Sequence, residues 1–68
     1  MELKINNQLV QFDSDTLSIQ SMLDIYHPNK QKGIAIAINQ CVISRHSWET
    51  HTLSETDDIL IITATQGG

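Results

Sequence analysis

A chain of 68 residues with a formal net charge of -4 has room for one small core and none for a deep enzymatic cleft. Its eight acids are set against Lys4, Lys30, Lys32 and Arg45, and it has one Phe, one Tyr and one Trp, so a basic, base-stacking surface for nucleic acid is excluded. Cys41 is the single cysteine, which rules out an intrachain disulfide and a cysteine-rich zinc site. No basic-then-apolar leader opens the sequence and no apolar run is long enough to span a bilayer, so a soluble, cytoplasmic protein without membrane or nucleic-acid partners is expected.

Met1, Leu3 and Ile5 alternate with Glu2 and Lys4. Asn6-Asn7 then supplies two residues that tolerate positive φ, and Leu9, Val10 and Phe12 resume an apolar strand, which together predict an N-terminal β-hairpin. Ile19, Met22, Leu23 and Tyr26 fall on one face of a helix. Ser18 is its expected N-cap, Leu17 and Met22 occupy the positions of a hydrophobic staple, and Pro28 stops the helix near Tyr26.

After a polar connection, Ile34, Ile36 and Ile38 alternate with Ala35 and Ala37, which predicts a strand with one bulky and one shallow face. Asn39-Gln40 turns the chain into a short strand over 41–44. Residues 45–56 are irregular but contain Trp48 and Leu53, and Asp57-Asp58 turns into a last strand over 59–64. The predicted order is ββαββ, a loop and a final β: an α+β fold with one helix packed across one face of a mixed sheet. Residues 1–64 form a single domain in this reading, and 65–68 form a flexible C-terminal tail ending in Gly67-Gly68.

If the bulky residues Ile34, Ile36, Ile38, Ile59 and Ile61 face the helix, period 2 places Ala35, Ala37, Leu60 and Ile62 on the opposite face. Nothing else in so short a chain covers that face. It is either a partner-docking patch or an ordinary scatter of surface apolar residues.

Candidate chemistry is sparse. His27, His46 and His51 have no metal-ligand spacing, and a lone Cys41 is more simply packing than nucleophile, so no bound metal or cofactor is expected. Glu55, Asp57 and Asp58 read as a solvated turn or as a complement to a basic docking surface. Gly67-Gly68 remains: two residues without Cβ make a thread narrow enough for a tunnel, and a terminal carboxylate becomes electrophilic once a partner adenylates it.

The segment Ala35-Ile-Ala-Ile-Asn39, followed by Val42-Ile43, Arg45, Trp48, His51, Asp58-Ile-Leu60 and Gly67-Gly68, resembles the ThiS family of sulfur carriers in thiamine biosynthesis. The resemblance implies a ubiquitin-like β-grasp fold. It also implies a monomeric carrier that is no enzyme itself but a co-substrate of others. A ThiF-type adenylating enzyme, using ATP and Mg²⁺, would activate the Gly68 carboxylate, and a persulfide donor would convert it to a thiocarboxylate. Thiazole synthase would then take the sulfur into the thiazole ring. Gly68 would be the reacting terminus and Gly67 would give it access, while Leu60, Ile62, Ala35, Ala37 and Gln66 are the expected partner contacts. Asn39, Arg45, Trp48 and His51 match the family pattern and are expected to secure the loop.

Three positions depart from the family pattern. Ser44 stands where proline is common, Gln66 where a small residue is, and Asp57 where glycine is, so a left-handed turn tolerated by aspartate is expected at 57. A carrier resembling the small subunit of molybdopterin synthase, a ubiquitin-like protein modifier and a small Cys41 hydrolase are the alternative readings.

Overall fold

The computed structural model describes residues 1–28 and 33–63. The polar connection at 29–32 and residues 64–68, which include Gln66, Gly67 and Gly68, lie outside the described residues.

Strand β1 (Glu2–Ile5) turns into β2 (Gln8–Gln11) through Asn6 and Asn7, at φ 51° and 66°. Two successive positive φ values give a turn whose twist matches that of the flanking strands, and asparagine tolerates them better than most residues. The same solution recurs between β3 (Ile34–Ile38) and β4 (Cys41–Ile43), where Asn39 and Gln40 sit at 52° and 72°. Strand β5 (Asp58–Thr63) begins one residue earlier than the sequence pattern suggested, because Asp58 already pairs with Lys4. Strand β4 ends one residue sooner, because Ser44 instead caps a 3₁₀ turn over Arg45–Ser47, its Oγ accepting the His46 N–H at 3.3 Å.

The sheet order is β2-β1-β5-β3-β4, parallel between β1 and β5 and antiparallel elsewhere. The most apolar strand is therefore central. Ile59 stands between Ile5 and Ile38 in register, and all three side chains point into the core, Ile5 and Ile59 without exposed surface. Ile34 and Ile61 share the bulky face but are only partly buried. Ile34 pairs with Thr63 at the end of the β3–β5 ladder, and Ile61 lies beyond the β1–β5 pairing, which stops at Ile5 and Ile59.

Helix α1 (Ile19–Tyr26) closes this face with Ile19, Met22 and Leu23. Its first three N–H groups have no partner within the helix, and each finds one elsewhere. Ile19 donates to the His51 carbonyl at 3.0 Å, Gln20 to the Trp48 carbonyl at 2.9 Å, and Ser21 to Ser18 Oγ at 3.1 Å. Leu17 and Met22 are both buried, and Leu53 N–H reaches back to the Leu17 carbonyl at 2.8 Å. The irregular stretch is thus a cap for the helix as well as a crossing. Trp48 and Leu53 fasten it to the core, and the Trp48 indole donates to the Ile43 carbonyl at 3.1 Å. No helix among the described residues is long and apolar enough to cross a membrane.

Candidate functional site

On the face of the sheet away from α1, Ile62 lies opposite Ala35 and Leu60 opposite Ala37. The four residues form one block at the root of the C-terminal segment, because β5 and β3 are hydrogen-bonded neighbours and both alternate in phase. Ile62 is 48% exposed, and Leu60 and Ala35 are half-buried. Ala37 departs from the expectation of an accessible contact: it is only 5% exposed, a one-carbon side chain recessed between Leu60 on β5 and Val42 on β4. Val42, which the alternation argument passed over, is 70% exposed and extends the block across β4. The two-residue Asn39-Gln40 turn contained that information, since it places Val42 opposite Ala37.

Turn asparagines hold the site strand at its entry and at its middle. Beyond the last residue of β1, Asn6 donates its backbone N–H to the Ile59 carbonyl at 2.9 Å. Its side chain then continues the ladder, with Oδ1 accepting the Ile61 N–H at 2.8 Å and Nδ2 reaching the Ile61 carbonyl at 3.4 Å. At the entry to β5, Asn39 N–H donates to the Asp58 carbonyl at 2.9 Å, and its Oδ1 accepts the Asp58 N–H at 2.9 Å. Asn39 Nδ2 donates to Asp57 Oδ1 at 2.9 Å, while Asp57 Oδ2 accepts the Ser54 N–H at 2.8 Å. Sequence pattern gives no sign of the Asn6 contact, because its partner is 55 residues away.

Asp57 is a correction. Among the described non-glycine residues positive φ occurs at Asn6, Asn7, Asn39 and Gln40, and Asp57 is not left-handed. Its carboxylate shapes the turn through Asn39 and Ser54 instead. Glu55 is also engaged, its Oε2 accepting the Glu2 N–H at 2.8 Å. Asp58 Oδ1 is buried without a hydrogen-bond donor among the described residues, on a side chain level with Lys4.

The remaining polar candidates do not converge. Arg45 lies with its guanidinium carbon 4.6 Å from the Trp48 ring centroid, a cation–π contact that braces the loop. His51 serves through its backbone, donating to the Ser47 carbonyl at 2.8 Å and receiving Ile19 N–H. No group of three or more His, Cys, Asp or Glu residues suited to a metal ion occurs among the described residues. Cys41 is free and exposed at the start of β4.

Comparison with known proteins bears on the fold and the family. A thiamine biosynthesis protein (ThiS) from Geobacter metallireducens superposes with a TM-score of 0.86 over 100% of both chains at 19% identity, which establishes the β-grasp fold. The sulfur carrier protein ThiS of Escherichia coli (strain K12) is 29% identical over 68 residues, again 100% of both chains. The model of the ThiS family matches residues 3–68, from β1 through the root strand to Gly67-Gly68, and the chain belongs to that family.

Proposed function

We propose that this protein is a sulfur carrier in thiamine biosynthesis, a co-substrate rather than an enzyme. The observation that carries this reading is the extent of the family match, which takes in the whole domain together with the Gly67-Gly68 terminus. In the proposed cycle a ThiF-type enzyme, with ATP and Mg²⁺, transfers AMP to the Gly68 carboxylate and releases pyrophosphate. A persulfide sulfur then attacks the carbonyl carbon and expels AMP, giving an acyl disulfide. A second thiol attacks the donor's own sulfur, forms a new disulfide with it and releases the thiocarboxylate. That anion is a soft nucleophile, and thiazole synthase takes its sulfur into the thiazole ring.

Gly67 is assigned to access, since a Cβ there would widen the thread that must enter the partner's active site. Leu60, Ile62, Ala35 and the recessed Ala37 are assigned to docking, with Gln66 at the mouth of the partner's tunnel. The docking assignment of Leu60, Ile62, Ala35 and Ala37 is supported by the contiguity of these four residues on a face that α1 does not cover.

Intact-mass measurement after incubation with the adenylating enzyme, ATP, Mg²⁺ and a persulfide donor tests the reading. The expected result is replacement of one oxygen by sulfur, abolished by deletion of Gly68. An unchanged mass, with enzymes proven active on their own carrier, would overturn it. Conjugates to lysines without thiocarboxylate would move the assignment to a protein modifier.

A further inference from the structure

A second surface lies on the other side of the sheet. A groove of about 330 Å³ runs between edge strand β2 and the end of α1, walled by Val10, Phe12, Ile25 and Tyr26, with Asp13 also in its lining. Val10 is level with core residue Leu3, so the groove opens on the helix side and is separate from the Ala35–Ile62 face. Ile25 is 57% exposed and Tyr26 36%, and the Tyr26 ring is set by a tilted contact with Phe12, centroids 6.4 Å apart.

The backbone beside the groove has a definite phase. Phe12 N–H donates to the Met1 carbonyl at 2.8 Å and Met1 N to the Phe12 carbonyl at 2.7 Å, so this pair exchanges both bonds. Alternation along an antiparallel ladder makes Val10 and Gln8 the other bonding positions. Leu9 and Gln11 therefore direct N–H and C=O to the open side of edge strand β2. These groups recur at about 7 Å, the two-residue repeat of an extended chain. A donor–acceptor row at that spacing, parallel to an apolar trough, is the recognition pattern of an added β-strand.

Charge selects among possible strands. Asp13 is the charged residue lining the groove, and the whole chain carries -4, which disfavours a second copy of itself and favours a basic segment. We propose that an extended peptide segment of a partner protein docks along β2, with apolar side chains against Val10, Ile25 and Tyr26 and a lysine or arginine beside Asp13. This interaction is independent of the sulfur chemistry proposed for the tail.

Two synthetic peptides test it by NMR on the ¹⁵N-labelled protein: a Val-Ile-Val-Ile run flanked on both sides by arginine, and the same run flanked by glutamate. The arginine peptide is expected to shift the Leu9 and Gln11 amides and slow their exchange, binding about tenfold more tightly than the glutamate peptide. Ile25→Glu, at an exposed position, should weaken it about tenfold with an unchanged melting temperature, and Asp13→Lys should invert the preference between the peptides. Absence of shifts, equal response to both peptides, or shifts centred on Ala35 and Ile62 would overturn the proposal. So would movement of the Leu9 and Gln11 amides on dilution of the protein alone, which would assign the edge to a second copy.

Discussion

Asn6 and Asn39 do the same work on the two sides of β5. Each holds a left-handed turn backbone and lends its amide to the central strand, Asn6 to Ile61 and Asn39 to Asp58 and Asp57. Glycine accepts the same φ without strain, so Asn6→Gly removes the amide while keeping the turn. A loss of about 1–2 kcal/mol in urea denaturation is expected, with faster hydrogen exchange at the Ile61 amide and little change at Ile36. Uniformly faster exchange would mean that Asn6 acts through global stability alone. Trp48 is a second residue with two duties, filling the core beneath the loop and donating to the Ile43 carbonyl. Trp48→Phe keeps an aromatic ring, removes the indole donor to that carbonyl and weakens the cation–π contact with Arg45. A cost of about 1–3 kcal/mol is expected, read as a lowered denaturation midpoint.

Helix α1 has eight residues, too few to persist alone, so its ends and its buried face must hold it. Ser18→Ala leaves the Ser21 N–H without its acceptor and should lower stability by about 1 kcal/mol, whereas Ser18→Gly should cost a few tenths. Both variants lose the cap bond, so the difference between their melting curves reads what glycine's backbone freedom and solvent access restore at the cap. The helix and the strands were legible because their signals are local: the spacing of Ile19, Met22 and Leu23, the Ile–Ala alternation of β3, and the asparagine turns. Opposed faces followed from period 2, and the pairing of Ala35 with Ile62 and Ala37 with Leu60 agrees with them. What escaped was non-local. Ala37 is recessed because of its neighbours on two other strands, and Val42 is exposed because β4 is an edge. Two capping carbonyls of α1 come from Trp48 and His51, about thirty residues downstream, where the sequence shows only an irregular stretch. Asp57 was misread because a family glycine suggests positive φ, whereas a carboxylate can shape the turn through its own hydrogen bonds.

At the scale of the whole molecule, the central position of β5 makes one strand serve both stability and presentation. Its two faces should be separable by mutation. A domain of this size is stabilised by roughly 0.05–0.15 kcal/mol per residue, so a single core truncation can use up most of the margin. Ile59 is fully buried between Ile5 and Ile38, and Ile59→Ala is expected to cost about 2–5 kcal/mol and leave a substantial unfolded fraction. Ile62 is three residues further on, on the other face and half exposed, so Ile62→Glu should cost about 1 kcal/mol or less and preserve the circular dichroism spectrum. The two variants should then diverge in function. If the outer face docks the adenylating enzyme, Ile62→Glu raises the concentration of carrier needed for half-maximal adenylation by about tenfold or more while the rate at saturation is retained, because the reacting carboxylate is untouched. Ile59→Ala should instead lose activity in proportion to its unfolded fraction and regain it on cooling or addition of a stabilising osmolyte. Wild-type kinetics for a folded Ile62→Glu would remove this residue from the docking surface and leave β5 as an anchor for the tail alone.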